Sequence, residues 1–317
     1  MTSFSVQAPR AVVMIRPHHF HPNPETEQDN VFQTRDGTRT TSEIATQAHA
    51  EVTRAAEALE QLGVKVHLFE DETIETPDSV FPNNWFSTHA GGHIAIYPMF
   101  SPNRRRERRG DVIEMLKHEY RVQDVIDYSG LEQDGLSLEG TGAMVLDHIS
   151  RIAYAAKSNR TNEVAMERFC THFNFEPIVF DAADEAGRLI YHTNVLMCVG
   201  TSFAMISLET ISNLHRRQEV RNRLTENGRE IIDLSFNQIN DFAGNALELS
   251  GSQGRVLALS RRALKALRPE QIRIIERSAT LLPLDVPTIE LAGGSVRDRK
   301  TVVSGMISHV GAPRSSK

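Results

Sequence analysis

Apolar and polar positions alternate between two periods along this chain, and the alternation repeats five times. Short apolar runs at residues 11–16 (AVVMIR), 93–98 (HIAIYP), 151–156 (RIAYAA), 203–208 (FAMISL) and 255–260 (RVLALS) have the length and bounding polar breaks of buried strands. After each comes a stretch with helical spacing. The first is the clearest: Ile44, Ala48, Val52, Ala55, Leu59 and Leu62 fall at steps of four, four, three, four and three, one face of a helix. Ser42 is the expected N-cap, and Gly63 stands where a helix C′ glycine belongs. Helices are expected likewise at 103–120, 161–173, 211–227 and 269–278. A second strand follows each helix, at 64–69, 122–128, 176–180, 230–235 and 281–286.

After each second strand comes a polar motif beside a Gly or Pro turn. The five motifs are DSVFPNNW (78–85), LEGTG (138–142), YHTN (191–194), DFAGN (241–245) and ELAGGSVRD (290–298). Units of this size cannot bury a sheet alone, so packing in a ring is expected, as propeller blades pack. Because the motifs occupy the same place in every unit, a ring gathers Asp78, Glu139, His192 and Asn245 near its axis. No Gly/Ser linker divides the chain, so residues 1–317 read as one domain. Its widest irregular stretch, 17–40, is either a lid over the ring's centre or a surface excursion.

Composition narrows the chemistry. The 317 residues are 40% hydrophobic, enough for a large core, and carry a net charge of −6, which argues against nucleic acid as a partner. No apolar stretch is long enough to cross a membrane, and the first residues lack the apolar core of a secretory signal. Two cysteines, Cys170 and Cys198, make no disulfide framework, so a cytoplasmic setting is expected. Both read as small buried hydrophobes. His18, His19 and His21 lack a matching set of cysteine or acidic ligands, so no metal is expected. The run RRRERR at 104–109 reads as a solvated face at a helix start.

Three motifs carry candidate chemistry. Asp78, followed by Asn83 and Asn84, could hold a cationic group by charge-assisted hydrogen bonds, though Asx-turns use the same residues. Glu139 before Gly-Thr-Gly could point into a narrow site, with a tight turn and a solvated acid as the alternative. His192 and Asn194, read as alternate positions of one strand, would share a face, and a neutral imidazole suits acid–base work near neutral pH.

Together the motifs resemble the amidinotransferase, or pentein, superfamily, which includes arginine deiminases, dimethylarginine hydrolases, agmatine deiminases and glycine amidinotransferases. The text RPHHFHPNPET, DSVFPNNWFSTH, LEGTGAMVLD, YHTNVLMCVG, DFAGN and ELAGGSVR most resembles the arginine-deiminase-related branch linked to citrulline and arginine use. It covers about residues 11–297; residues 298–317 are an atypical tail. The resemblance implies a five-bladed αβ propeller with pseudo-fivefold symmetry. It also implies C–N hydrolysis of a guanidino or ureido amino acid through a covalent intermediate on a cysteine, with no cofactor. Oligomerisation into a homo-oligomer stays open. By motif, Asp78 would hold the guanidinium, with Asn83, Asn84, Asn194, Asn245 and Arg297 as further substrate-binding positions. His192 would be the general acid–base and Glu139 would orient it. Asn194 stands where many relatives have a second aspartate, so citrulline-like substrates stay open. At the place of the nucleophilic cysteine this chain has Asp298, a poor nucleophile toward a guanidinium carbon. A non-catalytic binding protein on the same fold is the alternative.

Overall fold

The alternation of periods is realised in a computed structural model that describes residues 7–303 and 306. The first unit is strand β1 (Ala11–Pro17), helix α1 (Thr41–Gln61) and strand β2 (Lys65–Asp71). The second is β3 (Phe86–His89), β4 (His93–Ile96), α2 (Gly110–Glu119) and β5 (Asp124–Asp127). The third has the short helix α3 (Gly140–Ala143), β6 (Met144–Asp147), β7 (Ile152–Ala156), α4 (Glu163–Phe173) and β8 (Glu176–Phe180). The fourth has β9 (Met197–Val199), β10 (Phe203–Ile206), α5 (Leu214–Thr225), β11 (Glu230–Asp233) and the short helix α6 (Phe236–Asn240). The fifth has β12 (Leu247–Gly251), β13 (Gly254–Ser260), α7 (Arg261–Ala266), α8 (Pro269–Glu276) and β14 (Thr280–Leu284), and β15 (Thr301–Val302) comes last.

Every unit forms one three-stranded sheet by the same rule. The middle strand pairs antiparallel with an inner strand and parallel with an outer one, as β4 does with β3 and β5. The parallel pair needs a crossover, and the helix supplies it. The first sheet takes its inner strand from the far end of the chain: Val12 pairs with Val302 and Val13 with Thr301. The last segment therefore closes the first sheet rather than the fifth. The ring is continuous: β15 lies against β3, α3 against β3, β6 against β9 and β9 against β12. Ser250 N hydrogen-bonds Pro9 O at 2.9 Å, joining the fifth unit to the first. The apolar faces of the helices and sheets fill the space between neighbours. Ile44, Ala48, Val52 and Leu59 of α1 pack with Val12 and Met14 of β1 and with Leu249 and Ala258 of the fifth sheet.

Three local expectations shift. The cap of α1 is Thr40, not Ser42: Thr40 Oγ1 accepts from Glu43 N at 3.2 Å, and Glu43 Oε2 accepts from Thr40 N at 2.8 Å, a reciprocal box that leaves Ser42 inside the helix. The helix expected at 103–120 is a 3-10 turn (Asn103–Glu107), an extended break at Arg108 and Arg109, then α2. His192 and Asn194 are not on a strand. His192 is extended and caps a 3-10 turn, Thr193–Val195, ahead of β9, so the two side chains leave the backbone toward different partners. Gly63 does adopt a positive φ of 80° at the end of α1.

Candidate active site

The five motifs sit between the outer strand of one unit and the inner strand of the next, and the ring brings them together. Asp78, Asn84, His192 and Asp298 line one narrow cleft, together with Thr26, Asn30, Arg104 and Arg160. Glu139 lies behind His192, and its Oε2 is 2.8 Å from the ring Nε2. The LEGTG glycines make that contact reachable. A Cβ on Gly142 would lie 2.1 Å from Asn84 Oδ1 and 2.9 Å from His192 Nδ1, so only glycine lets the turn pass so close to the imidazole.

Glu139 is fully buried yet charged in company. Arg160 Nη1 and Arg104 Nη1 approach its Oε2 at 3.4 and 3.5 Å, and Phe100 N donates to Oε1 at 3.1 Å. Burial alone would raise its pKa; Arg160, the His192 hydrogen bond and Arg104 overcome that and hold it below the ordinary carboxylate range. Burial also lowers the His192 pKa, against the pull of Glu139, so the imidazole is neutral near pH 7. A neutral imidazole hydrogen-bonded to an ionised carboxylate is able to take a proton and to hold it.

Arg104 overturns the reading of its run as a solvated face. Its guanidinium is buried, bonded to Glu107 at 2.8 and 3.0 Å, and 3.6 Å from Asp78 Oδ2. The signal lay inside the run: Glu107, three residues on, supplies the charge that a buried arginine needs. Burial, set against Arg104 and reinforced by Asp78 and Glu139, raises Glu107 to about 7. Arg160, absent from the expected site, is equally buried and paired with Asp29 at 2.6 and 3.1 Å. Its guanidinium lies 4.8 Å from the ring centre of Tyr191. Nothing in KSNRTN marked it.

The irregular stretch at 17–40 covers the cleft. Asn23 Nδ2 donates to Asp78 Oδ2 at 2.8 Å, Asp29 holds Arg160, and Asn30 Nδ2 reaches Ala292 O at 2.9 Å. Of its three neighbouring histidines, His18 alone joins a converging group, and with other partners than His19 and His21.

Asp298 ends the fifth motif with its carboxylate fully engaged. Asn194 Nδ2 donates to Oδ1; Asn245 Nδ2 (2.7 Å) and Ser295 N (3.1 Å) donate to Oδ2. Asn83 lies beneath. With its amide turned to suit its neighbours, its nitrogen meets Asp298 O and its oxygen accepts from Gly142 N at 3.3 Å. Asn83, Asn194 and Asn245 thus hold Asp298 and do not line the cleft. Arg297 does not reach it either. Its guanidinium contacts Met197 O at 3.4 Å and lines a separate cavity with His148, Glu248 and Lys300. Burial raises the thiols of Cys170 and Cys198 to about 12 and about 11, and neither lines the cleft.

Five carboxylates (Asp29, Asp78, Glu107, Glu139 and Asp298) therefore meet two guanidinium groups (Arg104 and Arg160) in and behind the cleft. The excess favours a further cation, while the two arginines offer a place for an anionic group.

Among solved structures, the fold matches the N-terminal domain of ArgZ, an arginine dihydrolase of cyanobacteria, here a cysteine-to-serine mutant bound to substrate. The TM-score is 0.68 at 16% identity, over 93% of this chain and 98% of that one. AgrE, as a cysteine-to-alanine mutant with L-arginine, matches at 0.69 and 14%, over 93% of this chain and 40% of that one. DDAH from Pseudomonas aeruginosa, a cysteine-to-serine mutant with citrulline, matches at 0.60 and 14%, over 93% and 99%. The chain spans about 40% of full-length ArgZ and AgrE. No curated protein matches it in sequence. No helix among the described residues is long and apolar enough to cross a membrane. The five-unit architecture is thus the pentein fold of arginine-related C–N hydrolases. The family model described as N,N dimethylarginine dimethylhydrolase, eukaryotic, matches residues 16–299, and the chain belongs to that family.

Proposed function

We propose that this chain binds a guanidino or ureido amino acid in the cleft and does not hydrolyse it. The carrying observation is the state of Asp298. It stands where the resemblance puts the nucleophilic cysteine, and its two oxygens accept three hydrogen bonds. A carboxylate is already a weak nucleophile toward a guanidinium carbon, and donors on both oxygens weaken it further. The buried thiols of Cys170 and Cys198 offer no replacement.

Binding has better support. Asp78 faces the cleft as an acceptor for a guanidinium or ureido head. Arg104 and Arg160 stand where an α-carboxylate can meet them as charge-assisted partners. The solved neighbours with bound arginine and citrulline are consistent with that ligand class. Calorimetry with arginine, citrulline and agmatine tests it. A saturable heat with at least one is expected, and Asp78→Ala should weaken it by roughly 1.5–3 kcal/mol, the scale of hydrogen bonds to charged groups. No heat from any of the three at millimolar concentration overturns the proposal.

A second reading, hydrolysis, draws on the Glu139–His192 pair at 2.8 Å. A protein that only binds has no need of a buried acid–base couple. Ammonia release from arginine that disappears in His192→Ala would favour this reading.

A further inference from the structure

The first unit brings together three donor side chains that the cleft does not use. His18 follows β1, His49 lies on α1 and Glu70 lies on β2. Their ligand atoms lie within 4.8 Å of one another, and no other group of three such side chains converges as closely among the described residues. His18 Nε2 is 2.8 Å from Glu70 Oε2, and the two imidazole rings meet edge to face, 4.9 Å between centres. We propose that His18, His49 and Glu70 form a divalent transition-metal site, with zinc as the best match. Two imidazole nitrogens and one carboxylate oxygen are a zinc donor set, and three protein ligands leave one position for water.

The fold explains the meeting. Parallel pairing sets Arg16 opposite Glu70, so the end of β1 delivers His18 beside Glu70. His18 N also donates to Asp71 O at 2.8 Å, which fixes the backbone there. Helix α1 crosses above and presents His49. All three side chains are at least partly open to solvent, so a metal ion has access.

The neighbouring Arg16 bears on the site in two opposite senses. Arg16 lies against Glu70, 2.9 Å from Nε to Oε1, and repels a cation. The same pair fixes the carboxylate in place, as outer-shell partners of metal-ligating carboxylates do. A bound ion would tie β1, α1 and β2 together at the root of the 17–40 stretch that covers the cleft.

The test is a zinc titration of the metal-free full chain by calorimetry, with cobalt absorption as the geometric readout. One saturable site is expected, with visible cobalt bands of the intensity that four-coordinate sites give. His18→Gln and His49→Gln should each weaken binding by at least about tenfold. Circular dichroism of each variant establishes that it is folded, and both residues are solvent-accessible. No saturable zinc binding by the unmodified chain overturns the proposal. Binding unchanged in both variants overturns it equally, since the ion then sits on other histidines.

Discussion

Glu139 and Arg299 are both charged and both fully buried, and they differ in company. Glu139 accepts from Phe100 N and lies against Arg104, Arg160 and His192. Arg299 has three guanidinium nitrogens without a hydrogen-bond partner among the described residues. Burial pushes its pKa down to about 10 despite Glu51, Glu290 and Asp298 nearby. Lys300, the next residue, is also buried and reaches one carbonyl, Val296 O, at 3.4 Å. The charged groups in and behind the cleft walls meet one another, so that the burial of each is offset by a partner. The segment that runs from the fifth motif into β15 places charge where the fold offers little to meet it. Local sequence and global fold agree in the first region and conflict in the second. The conflict begins one residue after Asp298, at Arg299.

The sharpest way to break this comparison is to repair the second region. Losing a catalytic nucleophile commonly costs on the order of a millionfold in rate, because the remaining groups act only in concert with it. The unmodified chain should therefore release no ammonia from arginine above background. Asp298→Cys should raise release, and adding His192→Ala should abolish the gain. An Asp298→Cys protein that folds, binds arginine and stays inert would separate the cleft walls from catalysis.

Next in size is damage to the first region. Glu139→Gln removes the charge that Arg104, Arg160 and His192 share, leaving two buried guanidinium groups under-compensated. A loss of about 3–5 kcal/mol in urea unfolding is expected. A loss below about 1 kcal/mol would show the network to be worth no more than a surface pair.

Relieving the second region has the opposite sign. Arg299→Leu removes an unpartnered buried cation and should stabilise the fold by about 1–3 kcal/mol, the cost of leaving a buried polar group unsatisfied. Destabilisation would mean that Glu51 and Glu290 depend on Arg299.

The smallest effect is on pH dependence. Burial lowers the pKa of His192 and, further, of His89 in the folded chain. Both are neutral in either state above the ordinary histidine value, so stability is flat there. Below about pH 6.5 the unfolded chain protonates first, and stability should fall by up to about 1.4 kcal/mol per pH unit for each such histidine. His89→Phe should flatten the slope.

The ring was legible in the sequence because it rests on periodicity. Strands, helices and motifs recur in fixed order, and the middle strands were placed to within a few residues. The inner strands were harder. Residues 86–89 and 301–302 are short and only partly apolar, so their pairing depends on neighbours distant in sequence. In the cleft, Asp78, Glu139 and His192 could be read because each sits beside a turn that recurs in the repeat. Arg104 and Arg160 could not, since a buried arginine looks like a surface one until its partners are known. Arg297 was read into the site from its motif, but Asp298 lines the cleft and Arg297 the cavity beyond.

The central claim, binding without turnover, is tested most directly by one sample of the unmodified chain with excess arginine, followed by proton NMR over a day. Saturation transfer from the protein to the arginine protons, with the arginine signals undiminished at the end, is the predicted result. Arginine signals giving way to those of citrulline or ornithine, in a manner that His192→Ala prevents, would contradict it.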